Sequence, residues 1–324
     1  MHRRRLQLVG GTTYTISLPK EWVKKNKFKE QDELVLYEGK DKTLMISAHS
    51  DAEKASNEIS LNIDEYPGIA DTILRSLFNL GFESITLFSK SQIKSDTRAK
   101  IRKALSKLSG VEITYEDEYK ISLRVLLDKS KLSITQLLFR SGLVLESSLS
   151  MLSGKWDASA IRFNENEMDR LYSLTTKIII VSLSDSNTLH SSNIKDVSYI
   201  PSYFLISKKM ENIGDIVNSL SEYMTEGKED FDKRVEIISF FRREIKRCVD
   251  HIVKGYPKMF ERIDDNEVKK IGAMILKIED KTVLNYLRDI LRYVLDIEKQ
   301  IITLSFYAHM GRKKKEPAEP RPKT

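Results

Sequence analysis

The hydrophobic period changes along this chain, and that change is its strongest constraint. Over residues 2–48 apolar side chains recur at every second position, whereas from residue 130 to residue 310 they recur at every third or fourth. A pleated strand sets the first spacing and an α-helix the second, so neither stretch can adopt the other's secondary structure. The chain must therefore build a short β segment and a long helical one. Residues 57–128 mix the two patterns. The expected class is multidomain α+β, and 324 residues suffice for two or three cores.

In the first segment Leu6 and Leu8 alternate with Arg5 and Gln7, Gly10-Gly11 supplies a turn, and Tyr14, Ile16 and Leu18 alternate with Thr13, Thr15 and Ser17. Pro19 starts a short helix carrying Lys20, Trp22, Val23, Lys24 and Lys25. Alternation returns over residues 33–37 and 43–47, joined by Glu38-Gly39-Lys40-Asp41. On these strands Leu6 and Leu8 are expected on the core face, with Arg3, Arg5 and Gln7 outward. Trp22 is expected to pack in a core or an interface rather than stack on a base.

Charge sharpens the reading. Residues 1–30 hold eight Lys/Arg against Glu21 and Glu30, a net of +6, and residues 312–324 carry +4, so the +7 chain has a body of −3. A small basic segment is the footprint of a polyanion binder, because its cations displace counterions from phosphates, although a solvated charged surface gives the same count. Residues 311–324, rich in charge and proline, read as a disordered basic tail.

The run RRRLQLVGGTTYTISLPKEWVKKNKFKEQDELVLYEGKDKTLMIS resembles the swapped-hairpin DNA-binding domains of the AbrB/MazE/SpoVT type. The likeness rests on the basic first strand, the Thr15-to-Val23 run and Asp32-Glu33-Leu34. It implies a DNA-binding and dimerisation domain over residues 1–50, in which two copies interleave hairpins and present a basic face to double-stranded DNA. Arg3, Arg5 and Gln7, supported by Lys20, Lys24 and Lys25, are then the expected DNA contacts. A module that only dimerises, its basic arm merely solvated, is the competing reading.

Residues 57–128 predict β-α-β-α-β-β, with strands at 59–63, 84–88, 111–115 and 120–126 and helices at 67–81 and 96–110. No phosphate-binding glycine loop occurs in this small α+β unit, which is expected to be a connector, with an effector-sensing unit as the alternative. Residues 130–310 predict six helices, at 133–152, 164–183, 196–224, 229–254, 264–279 and from about 283 to 304, in two consecutive sets of three that suggest duplication.

Carboxylates on these helices carry the remaining chemistry. Glu165 and Asp169 lie four apart, as do Glu211 and Asp215, so each pair projects from one helix face. Converged, four carboxylates would take up protons or a hard cation: a divalent metal, iron or manganese. The competing reading is a solvated face beside Arg162, Lys208 and Lys209.

Ser207-Lys-Lys-Met-Glu-Asn-Ile-Gly-Asp-Ile-Val217 resembles the Glu-Arg-Ile-Gly-Asp motif of the PhoU phosphate-uptake regulators, and Glu165-Asn-Glu-Met-Asp169 resembles that family's motif on the middle helix. The resemblance implies tandem three-helix bundles with Glu165, Asp169, Glu211 and Asp215 as metal ligands in the first. The second set departs from the pattern: Lys269 and Arg292 stand where two carboxylates would be, with Asp296 retained. That half is expected to bind no metal and to close its patch by pairing Lys269 or Arg292 with Asp296 or Asp265.

One cysteine permits no internal disulfide, the five histidines have no ligand spacing, and no nucleotide loop or nucleophile elbow occurs, so no enzyme is expected. Neither a membrane span nor a secretory signal is read, and the expected location is cytoplasmic. The expected function is a dimeric DNA-binding regulator of phosphate uptake whose helices sense metal or phosphate status. The alternatives are a protein-interaction regulator of a phosphate transporter whose first domain only dimerises, and a metal-buffering bundle.

Overall fold

A computed structural model describes residues 3–38, 43–48, 58–128, 131–154, 157–183, 185–225 and 233–313. The chain divides into two compact units, Met1–Ser56 and Asn57–Thr324.

The first unit is two hairpins around a short helix. Strand β1 (Gln7–Val9) pairs antiparallel with β2 (Thr13–Thr15), Val9 opposite Thr13, and the turn works because Gly10 and Gly11 adopt φ of +62° and +74°. Helix α1 (Lys20–Lys25) follows Pro19, and β3 (Leu34–Glu38) pairs with β4 (Leu44–Ala48) from Leu34↔Ala48 to Glu38↔Leu44. The loop residues 39–42 lie outside the described residues. Among the described residues of this unit none is buried. Leu6 and Leu8, expected to face a core, are 65% and 54% exposed, because a single copy of two separate hairpins closes no core for them. Trp22 packs tilted on Phe28, ring centroids 5.0 Å apart.

The second unit begins with a four-stranded sheet in the order β5-β6-β8-β7, made of Glu58–Asn62, Ser84–Phe88, Lys120–Val125 and Val111–Glu116. β5 and β6 run parallel, so the chain crosses over through α2 (Ala70–Asn79), and α3 (Ser95–Leu105) links β6 to β7. Alternate residues of β6 and β8, among them Ile85, Leu87, Ile121 and Leu123, meet Leu74, Phe78 and Ile101 of the helices in one apolar core.

Helices α4 (Ile134–Ser153), α5 (Ala158–Ser182) and α7 (Ile200–Thr225) pack together, with a short α6 (Ser186–Ser191) between the last two. Helix α8 (Arg234–Val253) lies on α4 and α10 (Lys281–Lys313) on α7, with α9 (Asp265–Leu276) against both α8 and α10. The two sets of three thereby share one apolar cluster, in which Leu145, Ile178, Ile213, Phe241, Cys248, Ile290 and Ile297 are buried.

Among the helix starts that differ from expectation, two have a local cause. α5 begins at Ala158 rather than residue 164 because Asp157 caps it, its carboxylate accepting from the Ala160 amide. α7 begins at Ile200 because Pro201, without an N–H, fits only a first helical turn, and Asp196 caps a separate 3₁₀ turn ahead of it. The expected tail starts later than residue 311: helix continues through Lys313, and residues 314–324 lie outside the described residues.

A buried cation ties the sheet unit to the helices. Lys177 of α5 is 0% exposed, and its Nζ donates to the carbonyls of Phe78 (3.0 Å) and Phe82 (3.2 Å) at the C-terminal end of α2. Carbonyls at a helix C-terminus carry the negative end of the dipole, so this is a favourable seat for an ammonium.

Candidate functional site

Two sets of residues carry chemistry. In the first unit Arg3, Arg5 and Gln7 are exposed at and just before β1, and Lys20, Lys24 and Lys25 are exposed on α1. The same unit exposes Tyr14 at 66%, Leu36 at 58%, Ile16 at 51% and Leu44 at 53%. Apolar surface of this density on so small a unit is the kind that protein interfaces use.

In the second unit the (i, i+4) spacing works as the sequence indicates. Gly214 of α7 faces Met168 of α5 so closely that a Cβ there would sit 3.3 Å from Met168 Cγ, and this approach draws the two acidic faces together. Carboxylate oxygens of Glu165, Asp169 and Asp215 lie within 4.8 Å of one another. Glu211, the fourth expected ligand, is not part of that convergence. It is buried, and Lys208 Nζ donates to its Oε2 at 2.5 Å while lying 5.0 Å over the Tyr172 ring.

The residue that the sequence reasoning missed is Lys107. It follows α3 in the sheet unit, and its Nζ pairs with Asp169 and with Glu165 Oε1 (3.4 Å), all three side chains being about four-fifths buried. No local pattern announces a partner some sixty residues away. Desolvation opposes the charge on Lys107, but hydrogen bonding and attraction to Asp169, then to Glu165, outweigh it and raise its pKa. Glu165 is itself raised, by desolvation first and then by Asp169. Asp215 is exposed along its helix, yet its carboxyl turns into the cluster. Desolvation, followed by repulsion from Glu211, Asp169 and Glu165, pushes its pKa up to about 7. Burial of the carboxylates acts first, and the negative charge left over beyond the one cation adds to it.

The all-oxygen donor set suits a hard divalent cation, whose ligand distances are about 2.0–2.6 Å. Glu165, Asp169 and Asp215 would hold it, and such an ion would fix the separation of α5 and α7. The Lys107 ammonium lies against two of those three carboxylates, so the residues fit a metal once that side chain withdraws.

The second set of helices closes differently from expectation. Asp296 pairs with Lys209 of α7 (3.1 Å) and with Lys299 (3.4 Å), Asp265 with Arg262 (3.3 Å), and Arg292 with Asp289 (3.1 Å). Neither Lys269 nor Arg292 is the partner of Asp296 or Asp265. The reason is the α7–α10 packing: Lys209 and Arg292 both stack on the Tyr293 ring, at 4.6 and 5.0 Å, and it is Lys209 that reaches Asp296.

Comparison with known families finds matches to two segments of the chain. Residues 7–54 match the family model described as antidote-toxin recognition MazE, bacterial antitoxin, and residues 134–224 match the PhoU domain model. No curated protein and no solved structure matches the chain. The chain thus joins a segment similar to the MazE/AbrB type, residues 7–54, to one similar to the PhoU domain, residues 134–224, in a mixed α+β architecture. Among the described residues no helix is long and apolar enough to cross a membrane.

Proposed function

We propose that this chain is a cytoplasmic, non-catalytic regulator of phosphate uptake that binds double-stranded DNA as a homodimer. In this reading the PhoU-type helices sense metal or phosphate status. The observation that carries the proposal is the pairing, in one chain, of a basic MazE-type segment without a buried core with a PhoU-type region. A second copy supplies the cover that the exposed Leu6, Leu8, Tyr14, Leu36 and Leu44 require, and closing the hairpins around one another brings two sets of Arg3, Arg5, Gln7, Lys20, Lys24 and Lys25 onto one body. Phosphate contacts from the cations set register on the duplex, and Arg or Gln side chains can read base edges.

Occupancy of the Glu165/Asp169/Asp215 cluster would bias the packing of the helical receiver and so the affinity of the dimer for DNA. Components of a phosphate transporter are the further partners that the PhoU-type region suggests. Selection of genomic fragments by the purified chain tests the reading. Enrichment of sites beside phosphate-uptake genes is expected. A dimer that enriches no fragment would overturn the DNA reading in favour of a dimerisation module acting on the transporter.

A further inference from the structure

Lys107 belongs to the sheet unit, yet it sits among carboxylates of the helical region, and that placement has a consequence for any ligand of the cluster. Its backbone is fixed: the Lys107 amide donates to the Ala104 carbonyl and the Leu108 amide to that of Leu105, and the neighbours Ile101, Ala104 and Leu108 are buried in the sheet unit's core. The side chain leaves this rigid turn and reaches Glu165 and Asp169, one helical turn apart on α5. A hard cation coordinated by Glu165, Asp169 and Asp215, whose carboxylates converge within 4.8 Å, has to draw on the two carboxylates that the ammonium already contacts. Two positive charges cannot share that space.

We propose that Lys107 is an internal stand-in for the cluster's cation, exchanging with a divalent metal so that metal binding releases this corner of the sheet unit from the helices. The inference rests on the cation-sensing part of the function proposed above and names how the site is regulated. The second attachment differs in kind. Lys177 is sealed under α2 against the Phe78 and Phe82 carbonyls, which are neutral dipoles with no use for a metal in its place. Metal entry therefore loosens residues 101–110 and leaves residues 74–82 held. In chain order this sheet unit is what connects the MazE-type segment to the PhoU-type helices, so a ligand-dependent change in its docking is a route by which occupancy reaches the DNA-binding end.

The test uses the full chain and Mn²⁺ as the probe, with calorimetric titration of wild type, Lys107→Ala and Lys107→Arg, and Asp169→Asn in the Lys107→Ala background. Lys107→Ala is expected to bind Mn²⁺ at least tenfold more tightly than wild type. Lys107→Arg keeps the wild-type affinity, and Asp169→Asn removes the gain. Hydrogen exchange on wild type with saturating Mn²⁺, which needs no variant to fold, is expected to accelerate at residues 101–110 and not at 74–82. Equal Mn²⁺ affinity in wild type and Lys107→Ala, with unchanged exchange, overturns the competition while a metal site stands. Absence of binding in every variant overturns both the competition and the metal reading. Neither result touches DNA binding, which is measured separately.

Discussion

Replacing Leu8 and Leu36 together by Ser should dissolve the proposed dimer without unfolding the helical unit. The two leucines sit on different hairpins, 54% and 58% exposed in the single chain, so neither holds the lone protomer together. Full burial of a leucine is worth about 1.5–3 kcal/mol, and roughly half of each side chain remains to be covered, which gives about 1 kcal/mol per residue on association. A two-fold dimer contains each position twice, so the double variant removes about 4 kcal/mol, equivalent to a dissociation constant about a thousandfold weaker. Sedimentation equilibrium over a wide concentration range reads this directly, and the far-ultraviolet helical signal serves as the folding control. An unchanged dissociation constant would refute the argument that the exposed apolar surface is a subunit interface. So would a wild-type chain that is monomeric throughout.

Two further outcomes follow from the second unit. Lys177→Met removes the ammonium that seats on the Phe78 and Phe82 carbonyls, and after relief of its burial cost about 2–4 kcal/mol of stability should be lost in urea titration, with faster hydrogen exchange around residues 77–84; a change below about 0.5 kcal/mol would contradict this seat. His251, buried with its Nε2 2.9 Å from Ser305 Oγ and its ring beside Phe260, has a pKa held below 6.5, by desolvation first and then by the nearby Lys258, Lys254 and Arg247 charges, against an opposing hydrogen bond at the Lys258 backbone. The unfolded chain takes up this proton first, so stability is complete above about pH 6.5 and falls as the pH drops through the lower folded value. His251→Gln should flatten that fall in thermal melts between pH 7 and pH 5, and an identical pH slope would refute the assignment.

How much of this was legible in the sequence depends on the range of the interaction. Strand 84–88 was placed to the residue because alternation is local, and the two (i, i+4) acidic pairs followed from helical spacing alone. The early start of α5 was hidden because Ala158–Phe163 has no clear apolar stripe, although Asp157 was there to be read as its cap. The period puts Leu6 and Leu8 on the apolar face that an interleaved second copy would cover, and one copy leaves them exposed. Charges that meet across the fold left no trace in spacing. Lys107 meets Asp169, and Lys209 meets Asp296, only because separate elements pack, and the sequence offered Lys269 and Arg292 as equally plausible partners.

The salt dependence of binding to duplex DNA tests the central claim most directly. Each neutralised phosphate contributes about 0.9 to the slope of log affinity against log salt. Arg3 and Arg5 of two protomers are four cations, so Arg3→Ala/Arg5→Ala should reduce the slope's magnitude by about 3.6 if all four meet phosphates, with the dimer intact. The same slope in variant and wild type, or no affinity for duplex DNA at about 50 mM salt, would contradict the account.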